Sequence, residues 1–117
     1  MKTIMVVDDE ANDIETMMSV LEKEGYNVIT AKDGMEALTL VTQKDLDLIL
    51  LDIRMPALSG YDLSRLLRER LKHQIKIVYT SIVPEKEVAM KGIDGFIQKP
   101  FSPESLLDGV KKVFGEK

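Results

Sequence analysis

The sequence predicts an α/β domain over residues 1–117, a doubly wound parallel sheet of five strands with helices on both faces. Short apolar runs without polar alternation, beginning with Ile4-Met5-Val6-Val7, recur between longer stretches of helical periodicity. Strands covered on both sides read in this way. The 117 residues are 44% hydrophobic and 31% charged, which suits one core that buries roughly two-thirds of the unfolded chain's surface without covalent staples. No linker or low-complexity segment divides the pattern.

The first strand, Ile4 to Val7, ends at Asp8-Asp9-Glu10. Ile14, Met17, Met18 and Leu21 then fall at i, i+3, i+4 and i+7, the core stripe of a helix that stops at Gly25. A second strand, Asn27 to Ala31, leads through Asp33-Gly34 into a helix with Met35, Leu38 and Val41 on its apolar face and Ala37 beside them. Leu46, Leu48, Ile49, Leu50 and Leu51 make the most apolar run, closed by Asp52 and the breaker Met55-Pro56, and belong at the sheet centre. Ser59-Gly60 opens a third helix carrying Leu63, Leu66, Leu67 and Arg70, and Ile75 to Tyr79 form the fourth strand. Pro84 suits a first helical turn, so Glu85 to Lys91 reads as a shortened fourth helix of about two turns, ended by Gly92. Gly95 to Gln98 give the fifth strand. Ser102-Pro103-Glu104 start a last helix that buries Leu106, Leu107, Val110, Val113 and Phe114, before the charged tail Gly115-Glu116-Lys117.

The chain has no cysteine, which removes zinc-ribbon and thioredoxin-like readings and makes a reducing cytoplasm the expected location. Twenty acids against 16 basic residues argue against direct nucleic-acid binding, which favours a basic stripe. No apolar run approaches the roughly 20 residues of a membrane span, so no membrane contact is expected.

Three acids stand at strand ends: Asp8 and Asp9 after the first strand, Asp52 after the third. In the flavodoxin-like strand order 2-1-3-4-5, the ligand crevice opens outside the carboxyl ends of strands one and three. Carboxylates converging there repel unless protonated or bridged by a cation, and an all-oxygen set suits Mg²⁺. Thr80 and Lys99 follow the fourth and fifth strands and face the same crevice in that order. An ammonium pairs with carboxylate or phosphoryl oxygens, and a threonine hydroxyl can hydrogen-bond a phosphoryl group, so with a metal these residues could surround a transferred phosphate. Taken singly, Asp8 or Asp52 reads equally as a structural or solvated acid, and Lys99 alone reads as a surface lysine; their convergence, with Thr80, argues for chemistry. Gly60, Gly92 and Gly95 read as turn or cap residues, Met17 and Met18 as core, and His73 in Lys72-His73-Gln74 as solvated. Arg65, Arg68, Glu69 and Arg70 read as a solvent face of the third helix.

Four segments at strand ends carry a resemblance: Val7-Asp8-Asp9-Glu10; Leu50-Leu51-Asp52-Ile53-Arg54-Met55-Pro56 leading to Ser59-Gly60; Tyr79-Thr80-Ser81; and Phe96-Ile97-Gln98-Lys99-Pro100-Phe101. Through them the chain resembles, along essentially its whole length, the receiver domain of two-component response regulators, in particular the single-domain, chemotaxis-regulator-like kind. The resemblance implies a phosphorylation-activated signalling switch in which Asp52 takes a phosphoryl group from the phosphohistidine of a sensor histidine kinase or a histidine phosphotransfer protein, forming an acyl phosphate. It further implies that Asp9 and Asp52 ligate Mg²⁺ directly, Asp8 acts through water, and the Arg54 backbone carbonyl completes the protein's share of the shell. Lys99 is then expected to neutralise the phosphoryl oxygens. Thr80 is expected to swing toward them and draw its loop inward, and Phe96 to turn from exposed to buried. Pro100 is expected to follow a cis peptide bond that holds Lys99 in position. Such a domain catalyses its own phosphorylation and dephosphorylation without being a turnover enzyme.

Two features depart from the family's pattern. Thr80 and Lys99 lie 19 positions apart, about three fewer than usual, which shortens the fourth helix by close to one turn and alters the face that commonly serves output. Phe96 stands where tyrosine is frequent, and Ile82 is apolar two places past Thr80.

Other functions fit less well. A flavin phosphate needs a Ser/Thr/Gly-rich loop after the first strand, and Asp8-Asp9-Glu10 would repel it. Aspartyl phosphatases pair acids two residues apart on one loop, unlike the adjacent Asp8-Asp9. A receiver that signals without phosphorylation is at odds with the complete set Asp8, Asp9, Asp52, Thr80 and Lys99. Direct regulation of a target, phosphoryl relay, phosphate drainage and membership of a longer regulator stay open as roles.

Overall fold

Each apolar run becomes a strand, and every amphipathic stretch but one becomes a helix. The order is β1 (Thr3–Val7), α1 (Ala11–Lys23), β2 (Asn27–Ala31), α2 (Gly34–Val41), β3 (Leu48–Asp52), α3 (Gly60–Leu71), β4 (Lys76–Ser81), β5 (Gly95–Gln98) and α4 (Pro103–Phe114). This computed structural model describes residues 1–71 and 75–115. The Lys72-His73-Gln74 stretch and the tail residues Glu116 and Lys117 lie outside the described residues. The strands are parallel in the order β2-β1-β3-β4-β5, as the sequence predicts. All five residues of central β3 are buried, so burial on both faces overrides the modest strand preference of leucine.

Alternation along the strands divides the core into two layers. Ile4, Val6, Leu48, Leu50, Val78 and Ile97 share one cluster with Met17 and Leu21 of α1 and with Leu106 and Val110 of α4. Met5, Val7, Ile49, Leu51, Ile77 and Tyr79 share the other with Ala37, Leu38 and Val41 of α2 and with Leu63 and Leu67 of α3. Each fully buried side chain of this size stabilises the fold by about 1.5–3 kcal/mol. The helix ends follow the sequence: Asp33 caps α2 through the Glu36 N–H at 2.8 Å. Ser102 and Ser105 exchange hydrogen bonds of 2.9 and 3.1 Å at the start of α4, with Pro103 in its first turn.

The shortened fourth helix is reduced further than expected. Glu85–Glu87 form one 3₁₀ turn, closed by bonds of 2.9 and 3.0 Å from the Glu87 and Val88 N–H groups to the carbonyls of Pro84 and Glu85. Val88 is then extended. The core explains this: Val88 is buried, Met90 and Ile93 pack against the same cluster, and their irregular spacing fits no single helical stripe. Arg68 is not part of a solvent face. Its guanidinium clamps this segment, Nε donating to the Gly92 carbonyl at 2.9 Å, Nη1 to the Ile75 carbonyl at 2.7 Å and Nη2 to the Asp94 carboxylate at 2.6 Å.

Three smaller corrections follow from packing. Met35 is 68% exposed, because the buried stripe of α2 runs through Gly34, Ala37, Leu38 and Val41. In α3 Leu66 is only partly buried and Ser64 takes a core place, its hydroxyl 2.8 Å from that of Tyr79. Gly95 is a strand residue, where a Cβ would come within 2.7 Å of Val113 Cγ2 in α4.

Gly60 sets the spacing between β3 and α3. A Cβ there would collide with the Asp52 carbonyl oxygen and approach Ile53 Cα to 2.6 Å; both neighbours are backbone and cannot give way. Gly60→Ala is therefore expected to destabilise the protein by about 2 kcal/mol or more, measured as a lower urea midpoint. An unchanged midpoint would refute the close approach.

Candidate functional site

Strand parity brings the chemistry to one face. Asp52 and Thr80 are register partners across β3 and β4, and they continue the alternation of Leu50 and Val78 on the side covered by α1 and α4. Asp8 follows Val6 on that side, and Lys99 follows Ile97, its N–H bonding the Ser81 carbonyl at 2.8 Å. The five residues singled out from sequence are thus gathered at the carboxyl end of the sheet. One carboxylate oxygen from each of Asp8, Asp9 and Asp52 lies within 4.8 Å of the others. Asp8 and Asp52 are buried, whereas Asp9 is exposed.

Lys99 crosses the crevice, and its Nζ lies 2.7 Å from Asp8 Oδ2, 2.9 Å from Asp13 Oδ2 and 3.8 Å from Asp52 Oδ1. The other Asp8 oxygen accepts the Glu10 N–H at 2.9 Å. Asp13, in the first turn of α1, was missed in the sequence. Its only signal was an acid four places after Asp9, on a helix that begins at the crevice. The Lys99–Pro100 peptide bond is cis. Arg54 is exposed, and its backbone lowers the proton affinity of the Asp52 carboxyl beside it. Phe96 is partly buried and pairs in register with Tyr79, so by parity it lies on the opposite face of the sheet from Thr80.

The electrostatics are those of an under-neutralised acid cluster. Burial, then the Asp8 carboxylate, push the Asp52 carboxyl up to about 7 against the pull of Lys99. Burial also raises Asp8, opposed by its hydrogen bond from Lys99. For Lys99, burial acts downward, but hydrogen bonds to Asp8 and Asp13 outweigh it and raise the ammonium. Two carboxyls raised in this way, Asp8 and Asp52, with the Asp9 carboxylate beside them, form an oxygen-only set suited to a divalent cation such as Mg²⁺. Thr80 adds a second sign of an absent partner. Its hydroxyl is buried and has no hydrogen-bond partner among the described residues, an arrangement that costs about 1–3 kcal/mol and suits a group that gains a ligand.

Comparison with known proteins agrees with this geometry. The family model described as response regulator receiver domain matches residues 4–111. Response regulator GtcR of Aneurinibacillus migulanus is 38% identical over 87% of the chain, which spans only 43% of GtcR's length. The polar-differentiation response regulator DivK of Brucella ovis is 30% identical over 98% of both proteins. Among solved structures, the response regulator TrrA of Thermotoga maritima in complex with Mg²⁺-BeF superposes with a TM-score of 0.88 at 35% identity, covering 97% of this chain and 99% of TrrA. TrrA has also been solved in complex with the histidine kinase ThkA, with a TM-score of 0.87 against this chain.

The raised Asp52 carboxyl predicts a pH-dependent penalty in the metal-free protein. Its pKa rises from 3.8 to about 7 on folding, so the folded state binds the proton more tightly. The penalty is absent below the lower value, grows with pH, and is complete above the upper one. Asp52→Asn is expected to stabilise metal-free protein by about 2 kcal/mol at pH 8 and by little at pH 4. Urea unfolding in chelator at both pH values measures the difference; an equal effect at the two would contradict the assignment.

Proposed function

The chain belongs to the response regulator receiver domain family, and from this we propose that it is a signalling switch in which Asp52 accepts a phosphoryl group from a phosphohistidine. One observation carries the assignment of roles: Asp52 lies within 4.8 Å of two further carboxylates, 3.8 Å from the Lys99 ammonium, and in register with Thr80, whose buried hydroxyl has no partner among the described residues. An ionised Asp52 oxygen attacks phosphorus, the phosphorus–nitrogen bond of the donor breaks, and its electron pair leaves with the imidazole. Bound Mg²⁺ would supply the positive charge that keeps carboxylates and phosphoryl oxygens together. Asp8, Asp9 and Asp52 would hold it, Asp8 through water, with the Arg54 carbonyl completing the set. Lys99 would pair with the phosphoryl oxygens, and Thr80 would donate its hydroxyl to one of them. The protein thereby catalyses its own phosphorylation and hydrolysis, a stoichiometric modification rather than turnover of a substrate pool.

The response follows as a population shift. Movement of Thr80 toward the phosphoryl group draws in the segment after β4, and Phe96 becomes more buried. The complex of TrrA with ThkA supports a sensor histidine kinase as partner, and a histidine phosphotransfer protein offers the same chemistry. A net charge of −4 favours a protein target over nucleic acid. Among the described residues no helix is long and apolar enough to cross a membrane. We place the domain, residues 1–117, in the cytoplasm with its kinase.

Intact mass after incubation with Mg²⁺ and acetyl phosphate tests the reading. A single phosphoryl gain is expected, lost in Asp52→Asn and without Mg²⁺. No gain from either acetyl phosphate or a phosphorylated kinase would overturn it. Lys99→Ala is expected to keep the acceptor but to lose most of the phosphorylation-dependent change in amide hydrogen exchange across Thr80 to Phe96. A full response in that variant would remove Lys99 from the switch.

A further inference from the structure

Lys99 carries three N–H donors, and two are engaged: Asp8 at 2.7 Å and Asp13 at 2.9 Å, with Asp52 left at 3.8 Å, beyond a hydrogen bond. We propose that Asp13 is a positioning residue that holds Lys99 away from Asp52 in the resting protein and gives it up when Asp52 is phosphorylated. This rests on the receiver reading above and goes beyond it, because Asp13 belongs to none of the segments that carry the family resemblance.

Charge and exposure decide which bond Lys99 can release. A phosphoryl group on Asp52 replaces the carboxylate's single negative charge with close to two on its outer oxygens, beside an ammonium already shared by two carboxylates. The Asp8 side chain has no exposure, so losing its partner would leave a buried charge unpaired; Asp13 is 39% exposed and can be solvated when released. Asp13 is therefore the exchangeable partner. The resting pair competes with the phosphorylated state and weakens it.

Removing the Asp13 charge then has opposite effects on two ligands. With Asp13 neutral, Lys99 is free to approach Asp52 and compete there with a divalent cation, and one nearby negative charge is lost, so Mg²⁺ alone binds more weakly. A phosphoryl mimic gains Lys99 without breaking an ion pair, so at saturating Mg²⁺ it binds more tightly. A residue needed only for structure would weaken both.

Titration calorimetry on the whole chain tests this with Mg²⁺ alone and with beryllofluoride at saturating Mg²⁺, in wild type, Asp13→Asn and Asp13→Glu. For Asp13→Asn the Mg²⁺ dissociation constant is expected to rise about 2–5-fold and that of beryllofluoride to fall about 2–5-fold, the range of a partly exposed ion pair. Asp13→Glu, which keeps the charge, should return both toward wild type. Beryllofluoride binding that is unchanged or weaker in Asp13→Asn, with wild type binding normally, would overturn the role of Asp13 alone. Failure of wild type to bind either ligand would overturn the receiver reading as well.

Discussion

The structure is organised around a repulsion. Asp8, Asp9 and Asp52 converge at the carboxyl ends of β1 and β3, and the buried pair among them is held by one lysine delivered from the end of β5. Like charges at such distances raise one another's proton affinity unless a cation intervenes. Lys99 serves as that cation but does not suffice, since burial, and then the Asp8 carboxylate, still hold the Asp52 carboxyl up at about 7. The resting site is thus poised to gain positive charge, and a divalent cation is the form of it that an all-oxygen set binds best. The proposed phosphorylation of Asp52 would reverse the balance by adding negative charge where Lys99 already stands.

Much of the remaining architecture keeps this cluster in register. Parallel pairing places Asp52 opposite Thr80, and alternation turns both toward α1 and α4, whose start and preceding loop bring Asp13 and Lys99. A shift of one residue in any of these strands would carry its functional side chain to the other face. Close packing at Gly60, against the backbone of Asp52 and Ile53, seats α3 where β3 ends and leaves little slack beneath the acceptor.

The fold was legible in the sequence because its strongest signals are local. Unalternated apolar runs, the capped starts at Asp33 and Ser102, and strand-end acids each depend on a few neighbouring residues, and all appear where expected. What was not legible depends on distant partners. Glu85 to Lys91 follows Pro84 and carries charges that suit a helix, yet Val88 buries itself, Met90 and Ile93 pack against the same cluster at irregular spacing, and Arg68 ties Gly92 and Asp94 to α3. A guanidinium that looks solvated on a helical wheel becomes the clamp for a segment far along the chain. Asp13 was hidden for the same reason: in sequence it is an ordinary acid in a first helical turn, and only its approach to Lys99 across 86 positions gives it a role.

The same geometry constrains how the proposed switch between Thr80 and Phe96 can work. Thr80 and Phe96 lie on opposite faces of the sheet, because Phe96 pairs with Tyr79 while Thr80 pairs with Ile97. With the two side chains on opposite faces, the backbone of the segment between them is the link that joins them. Tyr79 is fixed by its hydroxyl, 2.8 Å from that of Ser64, and by an edge contact with Tyr61 at 5.5 Å between ring centres. That anchorage holds β4 up to the residue before Thr80. Beyond it the chain runs through Ser81, exposed Ile82 and a single 3₁₀ turn, with far fewer internal hydrogen bonds than a full helix would supply. Displacement beginning at Thr80 therefore falls on this segment, whose far end is set by the Arg68 clamp on Gly92 and Asp94, next to the start of β5 and Phe96. The shortened fourth helix leaves a compact, irregular link between Thr80 and Phe96, bounded at one end by buried Tyr79 against partly buried Tyr61 and at the other by Arg68.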